Sequence, residues 1–230
     1  MASAQQLVSS QGDTLRVSAG AIDLLSKVEE SVAVVAVAGP ARTGKSFLLN
    51  CLAAMPTCGA CATKNVFAVD SGVHPCTDGL WVWVSPTPTE LPDGTRVRRI
   101  YVDTEGVGAV KATEQHDMKL LALTLLISST FVFNSTGAID ESAITKLAFV
   151  TQLSSHVHIQ QEGVPDTAQD FERSFPHFMW VLRDFSLQLR DGPNGAVLSA
   201  KEYLERCDYI RWLSLNFFLI VALTGQGTET

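Results

Sequence analysis

Apolar and polar positions alternate in blocks along this chain, and the blocks predict strands and helices in turn. Residues 32–38 form an apolar run rich in β-branched side chains, which is typical of a strand buried on both faces of a parallel sheet. A glycine-containing loop follows, and the apolar residues within 45–54 then predict a helix. A strand, a tight loop and a helix in this order form the unit from which parallel α/β sheets are built.

The rest of the chain continues this alternation. We predict further strands at 15–17, 66–69, 80–84, 97–102, 130–133 and 178–182, and further helices at 19–29, 114–127, 141–153 and 199–206. The turn Pro92-Asp93-Gly94 precedes strand 97–102 and indicates an antiparallel hairpin, and residues 155–172 form a polar loop. These elements predict a three-layer α/β fold with a mostly parallel sheet and an antiparallel hairpin at its edge.

Composition and charge narrow the class of protein. With 46% hydrophobic and 18% charged residues among 230, the chain is globular and large enough for one substantial core. The net charge of −7 argues against nucleic acid as the main partner, although backbone dipoles and a metal ion can still bind a polyphosphate.

The first ten residues lack a signal-peptide core, and the longest apolar run, 212–223, is interrupted and too short to cross a bilayer. We expect a cytoplasmic protein without a membrane segment, with its five cysteines reduced.

The loop after the first buried strand has the pattern G-x-x-x-x-G-K-S, from Gly39 to Ser46. Its two glycines, Gly39 and Gly44, allow the backbone to curl so that several N–H groups point at phosphate oxygens, and the positive end of the following helix attracts the same anion. We expect Lys45 to reach the outer phosphates and the Ser46 hydroxyl to hold Mg²⁺. An ordinary glycine-rich turn is the alternative, and the flanking strand and helix argue against it. The pattern predicts a nucleoside triphosphate site.

A second motif, Asp103-Thr104-Glu105-Gly106, follows strand 97–102. An aspartate at a strand end can hold Mg²⁺ directly or through water, and Gly106 leaves room for a backbone N–H beside the γ-phosphate. Thr77, in the loop before the hairpin, is the best candidate for a second metal ligand, because its hydroxyl could sense the γ-phosphate and order that loop. Standing alone, the motif would be an ordinary turn and Thr77 one more loop residue. Their position after the phosphate loop favours the functional interpretation.

Two further positions carry candidate chemistry. Arg183-Asp184 ends the last clear strand, and the carboxylate of Asp184 can accept two N–H bonds from guanine, a pattern that adenine does not present. A surface ion pair is the alternative. Arg42 lies inside the phosphate loop, where it could stay solvated or could stabilise transition-state charge as an arginine finger supplied in cis.

Together these motifs resemble the guanylate-binding protein and atlastin branch of the dynamin-like large GTPases. The resemblance covers about residues 12–206 and is carried by segments 39–50 (GPARTGKSFLLN), 77–83 (TDGLWVW), 103–106 (DTEG), 128–135 (SSTFVFNS) and 182–185 (LRDF). The R-T-G-K-S loop is specific to this branch. So is the R-D pair, which replaces the N-K-x-D motif of small GTPases.

The resemblance implies a P-loop GTPase fold, hydrolysis of GTP with Mg²⁺, and nucleotide-dependent pairing of two such domains, as a homodimer or with related GTPases. The catalytic groups that it implies are Arg42, Lys45, Thr77 and Glu105. The implied metal ligands are Ser46, Thr77 and Asp103. The implied nucleotide-binding residues are Arg42, Thr43, Gly44, Lys45, Ser46, Phe47, Thr77, Asp103, Gly106, Arg183 and Asp184, of which Arg183 and Asp184 read guanine.

The sequence departs from the family pattern at two places. Pro75 stands where guanylate-binding members often carry a serine that helps to place the attacking water. After residue 206 the family continues into a guanine-capping loop and further helices, whereas residues 207–230 resemble nothing in it. We therefore expect an incomplete GTPase domain at 1–206 and an unrelated tail at 207–230. The alternatives are a hydrolysis-poor or regulatory module that associates through its apolar tail, and an ATP-using P-loop kinase, for which an arginine-rich lid is missing.

Overall fold

The structure is a computed structural model and describes residues 3–11, 14–54, 65–69, 78–107, 113–139, 141–148, 176–185, 189–190, 195–199, 202 and 217–222. Its strands are β1 (Gln5–Gln11), β2 (Thr14–Val17), β3 (Ser31–Ala38), β4 (Leu80–Val84), β5 (Thr89–Glu90), β6 (Arg96–Thr104), β7 (Thr130–Thr136), β8 (His177–Arg183) and β9 (Phe217–Ala222). Its helices are α1 (Ala19–Ser26), α2 (Lys45–Ala54), α3 (Glu114–Ile127) and α4, over residues 141–148.

The described strands form one sheet in the order β2-β1-β4-β6-β3-β7-β8-β9, with β5 paired to the beginning of β6. Strands β6, β3, β7, β8 and β9 run parallel to one another. Strand β4 joins β6 antiparallel, and the β1–β2 hairpin extends the sheet on that side. The predicted α/β fold, with a parallel centre and an antiparallel edge, is confirmed.

Helices cover both faces of this sheet and make it the middle of three layers. On one face, α2 packs through Leu49 and Ala53 into a core cluster that includes Val37 of β3. On the opposite face, α1, α3 and α4 contribute to two clusters that include Ala36 and Ala38 of β3. Because successive residues of a strand point to opposite faces, an uninterrupted apolar run is what a strand between two helical layers requires.

Several element boundaries agree with the prediction and others do not. Helices α2 and α3 and strand β4 have the predicted bounds. Helix α1 ends at Ser26 instead of residue 29. At this end the Ser26 hydroxyl donates to the carbonyl of Asp23 and so competes with the backbone N–H groups that would continue the helix. Strand β1 was not predicted, because its residues are mostly polar and carry no clear alternation.

The strand predicted at 66–69 is wrong. The Asn50 side chain binds the backbone N–H groups of Val66 and Phe67, although the Val66 carbonyl also accepts from the N–H of Ala4 at 3.2 Å. The Asn50 amide oxygen accepts from the backbone N–H groups of Val66 and Phe67 at 3.0 and 2.9 Å. Its amide nitrogen donates to the carbonyl of Phe67 at 3.0 Å. An apolar segment satisfied in this way packs into the core as a loop.

Strands β7 and β8 extend beyond their predicted ends. Strand β7 continues through the polar residues 134–136, which an apolar run does not include. The Trp180 indole of β8 donates to the Ser135 hydroxyl at 2.8 Å, so a buried polar pair belongs to the pairing of these strands. Strand β9 was not predicted and lies parallel to β8.

Some predictions lie outside the described residues. These are the end of the helix at 141–153, the loop at 155–172, most of the helix at 199–206, and the positions Thr77 and Pro75. Among the described helices, not one combines the length and the apolar character that crossing a membrane requires.

The parallel strands bring the predicted site to one edge of the sheet. Gly39 directly follows β3, Asp103 lies one residue before the end of β6, and Arg183 is the last residue of β8. Ligands of open α/β sheets bind beyond the carboxyl ends of parallel strands, where all three residues are found.

We expect replacement of Trp180 by alanine to lower the free energy of unfolding by about 3–5 kcal/mol. Trp180 is fully buried and meets the Phe133 ring edge-on, with ring centroids 5.3 Å apart. Its removal leaves a cavity in the core cluster on that face of the sheet and also removes the hydrogen bond to Ser135. Urea unfolding followed by circular dichroism measures the change.

Val17→Ala is the control, since Val17 is 61% exposed on β2, and we expect it to change the free energy of unfolding by less than about 0.5 kcal/mol. Similar losses for both variants would show that Trp180 does not anchor the β7–β8 pair.

Candidate functional site

The phosphate loop between β3 and α2 depends on glycine at both of its ends. Gly39 has φ of 143° and Gly44 has φ of 79°, which L side chains rarely adopt. A Cβ atom on Gly39 would collide with the backbone carbonyl of Asn134, and one on Gly44 would collide with the guanidinium of Arg183. Gly39 is therefore required by its conformation and by the close approach of the β7 backbone, whereas Gly44 is required by its conformation, since the Arg183 side chain is flexible.

The carbonyl oxygen of Thr43 is bound from two neighbouring strands. The side-chain amide of Asn134, at the end of β7, donates to it at 2.8 Å. The Arg183 guanidinium, at the end of β8, donates to the same oxygen at 2.8 Å. We call these two side chains and this oxygen the Thr43 clamp. Asn134 is fully buried, so this donor to the loop is held inside the protein.

A second set of backbone contacts ties the loop to the segment that follows β6. The N–H of Ala41 donates to the carbonyl of Val107 at 3.1 Å, and the N–H of Val107 donates to the carbonyl of Gly39 at 3.1 Å. A Cβ atom on Gly106 would collide with Ala41, so only glycine permits this approach. The loop is thus held between the ends of β6, β7 and β8.

Lys45 is the first residue of α2 and is only 6% exposed. Its ammonium group donates to the carbonyl of Pro40 at 3.0 Å. Burial lowers the pKa of Lys45, and the charges of Asp103 and Glu105 oppose that shift. A buried cation inside a loop of backbone amides provides a site for an anion.

Ser46, in the first turn of α2, and Asp103, near the end of β6, meet beside the loop. The Ser46 hydroxyl donates to Oδ2 of Asp103 at 2.6 Å, although the two residues belong to different elements. Asp103 is only 2% exposed. A hydroxyl oxygen and a carboxylate oxygen are the hard donors that Mg²⁺ prefers, so this pair fits a magnesium ion.

Glu105 connects β6 to the segment before β4. Its backbone N–H donates to the carbonyl of Gly79 at 2.8 Å, and its carboxylate accepts from the N–H of Gly79 at 3.1 Å. Gly79 has φ of 68°, and a Cβ atom there would collide with the carbonyl of Val8 on β1. The carboxylate also lies beside His116, in the first turn of α3.

Most of the predicted residues that the structure describes lie around this loop. The structure brings Thr43, Gly44, Lys45, Ser46, Asp103, Glu105, Gly106 and Arg183 together through the contacts above. Arg42 and Phe47 are exposed, and Arg42 adopts a left-handed φ of 64° at the tip of the loop. Asp184 is exposed with φ of 52°, directly after β8. Thr77 lies outside the described residues.

Two site residues escaped the sequence reasoning, namely Asn134 and His116. Asn134 interrupts the apolar run of β7, and a buried polar residue at the end of a parallel strand was the signal available. His116 is buried in the first turn of a helix and carried no pattern by which the sequence could identify it.

Comparison with known proteins matches this chain to one family, both by a family profile and by individual relatives. The profile of the guanylate-binding protein N-terminal domain matches residues 12–211. Guanylate-binding protein 6 of Mus musculus is 37% identical over 203 residues, which are 86% of this chain and 31% of that protein. Guanylate-binding protein 2 of Homo sapiens is 38% identical over 204 residues, 86% of this chain and 32% of that protein. The chain spans about a third of the length of these relatives.

We expect Asn134→Ala to lower the free energy of unfolding by about 1–3 kcal/mol, because the Thr43 carbonyl then loses one of its two donors. The loop should become less ordered, so that binding of a fluorescent nucleoside triphosphate analogue weakens as well. Urea unfolding and a binding titration measure the two effects.

Thr136→Ala is the matched control, since Thr136 is exposed on the same strand. A variant at position 134 that binds the analogue as the parent does would show that the clamp is not needed for the shape of the loop.

Proposed function

The chain belongs to the guanylate-binding protein family, and we propose that it binds GTP and hydrolyses it to GDP and phosphate with the help of Mg²⁺. The observation that carries this proposal is the phosphate loop with the hydrogen-bonded pair of Ser46 and Asp103 beside it. Family membership supports the same function, since the relatives are named for binding guanylate.

The phosphates would be bound mainly by the backbone of the loop. Its two glycines give the loop a curled path, and α2 begins at Lys45 with its positive end at the same place. Lys45 would leave the carbonyl of Pro40 and donate to the outer phosphates. This exchange replaces a neutral acceptor by a charged one, so it strengthens the hydrogen bond of a buried cation.

The metal would be held by Ser46 and Asp103, with Thr77 as a further ligand from the segment before β4. Magnesium supplies positive charge that offsets the charge developing on the phosphate oxygens. The hydroxyl of Ser46 would turn from Asp103 toward the ion, while the carboxylate stays in place at the end of β6.

Hydrolysis needs a group that orients water and a group that stabilises charge. Glu105 supports the first role, because its carboxylate accepts from the backbone N–H of Gly79 and lies close enough to Lys45 for its charge to raise the pKa of that lysine. Arg42 supports the second, because it is an exposed arginine within the loop. A left-handed backbone at a residue other than glycine costs free energy and is often retained at functional sites.

Guanine would be selected by Asp184, whose carboxylate can accept from N1–H and from the 2-amino group. The contacts of Arg183 support a different role for it, which is to hold the Thr43 carbonyl below the phosphates. The two residues of the R-D pair would thus have different roles. Arg183 would hold the backbone of the loop in place, and Asp184 would bind the base.

We include pairing with a second GTPase domain in the proposal. Phe47 is 48% exposed on α2, two residues beyond the start of the helix, and Arg42 is exposed nearby on the loop. A large apolar side chain beside an anion site is a surface that a bound partner could cover. GTP is expected to promote this association, because it changes the charge on the same face.

The first test concerns the base. We expect the parent chain to bind GTP more tightly than ATP, and Asp184→Asn to weaken GTP binding about 10- to 100-fold. An asparagine amide offers one donor and one acceptor, which suits xanthine, so the variant should bind XTP better than the parent does. Fluorescent analogues of the three nucleotides measure these affinities.

Asp23→Asn is the control, because Asp23 is an exposed aspartate of α1 that pairs with Lys27. Equal affinity of the parent for ATP and GTP would contradict guanine selection and favour the kinase alternative.

The second test concerns turnover. We expect Arg42→Ala to lower kcat by about 10³-fold or more, as loss of an arginine finger does in other systems. GTP binding should change much less, since the loop backbone supplies most of the phosphate contacts. Single-turnover phosphate release and a binding titration separate the two quantities.

Arg16→Ala removes an exposed arginine on β2 and should leave kcat unchanged. An unchanged kcat in Arg42→Ala would remove Arg42 from catalysis, and a parent chain that binds GTP without turnover would support the regulatory alternative.

A further inference from the structure

A buried polar cluster links the β1–β2 hairpin to Glu105. His116 is only 3% exposed, and its Nε2 atom lies 2.8 Å from the Ser10 hydroxyl of β1. The same Nε2 atom lies 3.5 Å from Oε2 of Glu105. The imidazole therefore stands between a strand of the antiparallel edge and the carboxylate that follows Asp103.

The Glu105 carboxylate is held from a second direction by backbone. Its Oε2 atom accepts from the N–H of Gly79, in the segment that leads into β4. The same oxygen thus faces a backbone amide on one side and the imidazole on the other. Two contacts from different elements define the direction of a side chain better than one contact does.

On another side Glu105 is less restricted. It lines a cavity of about 10 Å³ together with Asp117 and Thr124 of α3. The contacts with Gly79 and His116 are the polar contacts of its carboxylate that the structure shows. The contact with His116 therefore affects the direction in which the Glu105 carboxylate points.

The chemistry of the two partners indicates where the imidazole proton lies. An ionised carboxylate only accepts hydrogen bonds, so a hydrogen on Nε2 is the arrangement that suits Glu105. The Ser10 hydroxyl can accept from the same N–H, because its own hydrogen can turn elsewhere. The Ser10 oxygen, at 2.8 Å, is then the close hydrogen-bond partner of Nε2, and the Glu105 oxygen, at 3.5 Å, is a longer polar contact of the same atom.

The start of α3 does not depend on the imidazole. The Thr113 hydroxyl accepts from the backbone N–H of His116 at 3.2 Å and caps the helix. A change of the side chain at 116 leaves this cap in place. The buried imidazole therefore has a role separate from the beginning of the helix.

We propose that His116 is the positioning residue of Glu105. Through Nε2 it holds the carboxylate beside Gly79, the direction in which Glu105 orients the attacking water, and through Ser10 it connects this geometry to the β1–β2 hairpin. The inference rests on the proposed GTP hydrolysis and adds a residue that acts without touching the nucleotide.

The kinetic test compares two substitutions of the same side chain. We expect His116→Ala to lower kcat about 10- to 100-fold while KM for GTP changes little, because misplacement affects the reacting water and spares nucleotide binding. His116→Gln keeps an N–H donor and should recover most of kcat. Gln115→Ala, at the exposed neighbouring position, is the control.

A double variant tests whether the two residues act as one unit. Glu105→Gln should lower kcat by itself, and adding His116→Ala should cost little more, since the positioned group has already been lost. Losses that multiply would show that His116 acts independently of Glu105 and would overturn the inference. An increase in KM without a loss of kcat would do the same.

A spectroscopic test does not depend on turnover. Imidazole ¹⁵N resonances of the full chain should show a hydrogen on Nε2 of His116, and its signals should shift in Ser10→Ala and in Glu105→Gln. The other four histidines should not respond. If the His116 signal does not shift in Glu105→Gln, the inference is overturned even if the chain hydrolyses GTP. A parent chain with the expected signals but no hydrolysis contradicts the proposed function instead.

Discussion

Strand register is the constraint on which the phosphate loop depends. In the β3–β7 pair, Ala38 lies opposite Phe133, so the next residue of each strand brings Gly39 against the carbonyl of Asn134. In the β7–β8 pair, Thr136 lies opposite Arg183, and this places both donors of the Thr43 clamp at one carbonyl oxygen. A slip of one residue in either pair would turn these side chains to the wrong face and leave the loop without its supports.

Strand register also positions the Ser46–Asp103 pair and Glu105. The parallel pairing of Val37 with Asp103 sets the end of β6 beside the start of the loop, where Ser46 of α2 can reach the carboxylate. Two residues later Glu105 meets Gly79, so the antiparallel side of the sheet is joined to the parallel side at the site. The site is therefore a property of the sheet as a whole, assembled from strands that are distant in sequence.

The elements and site residues that could be predicted from the sequence are those determined by residues close to one another along the chain. The phosphate loop is identified by glycine and lysine chemistry within a few residues, and α2, α3 and β4 by continuous apolar patterns. The parts that escaped depend on partners far along the chain. The Asn134 amide binds a carbonyl 91 residues away, His116 meets a hydroxyl 106 residues away, and the Asn50 amide turns residues 66–67 into a loop despite their apolar side chains. Local sequence patterns do not predict partners that lie far along the chain. They can indicate that a polar residue is buried, but they do not identify the group that it binds.

Strand β9 has a consequence for solubility. It pairs with β8 from Phe178 to Arg183, so β8 is an interior strand and not an open edge. Its own sequence, FFLIVA, is free of charge, proline and glycine, which are the features that oppose cross-β aggregation. The six residues that shield β8 in the native sheet are thus a self-association hazard whenever they detach. Folding intermediates that have not yet docked β9 are the species for which this protein would depend most on chaperones.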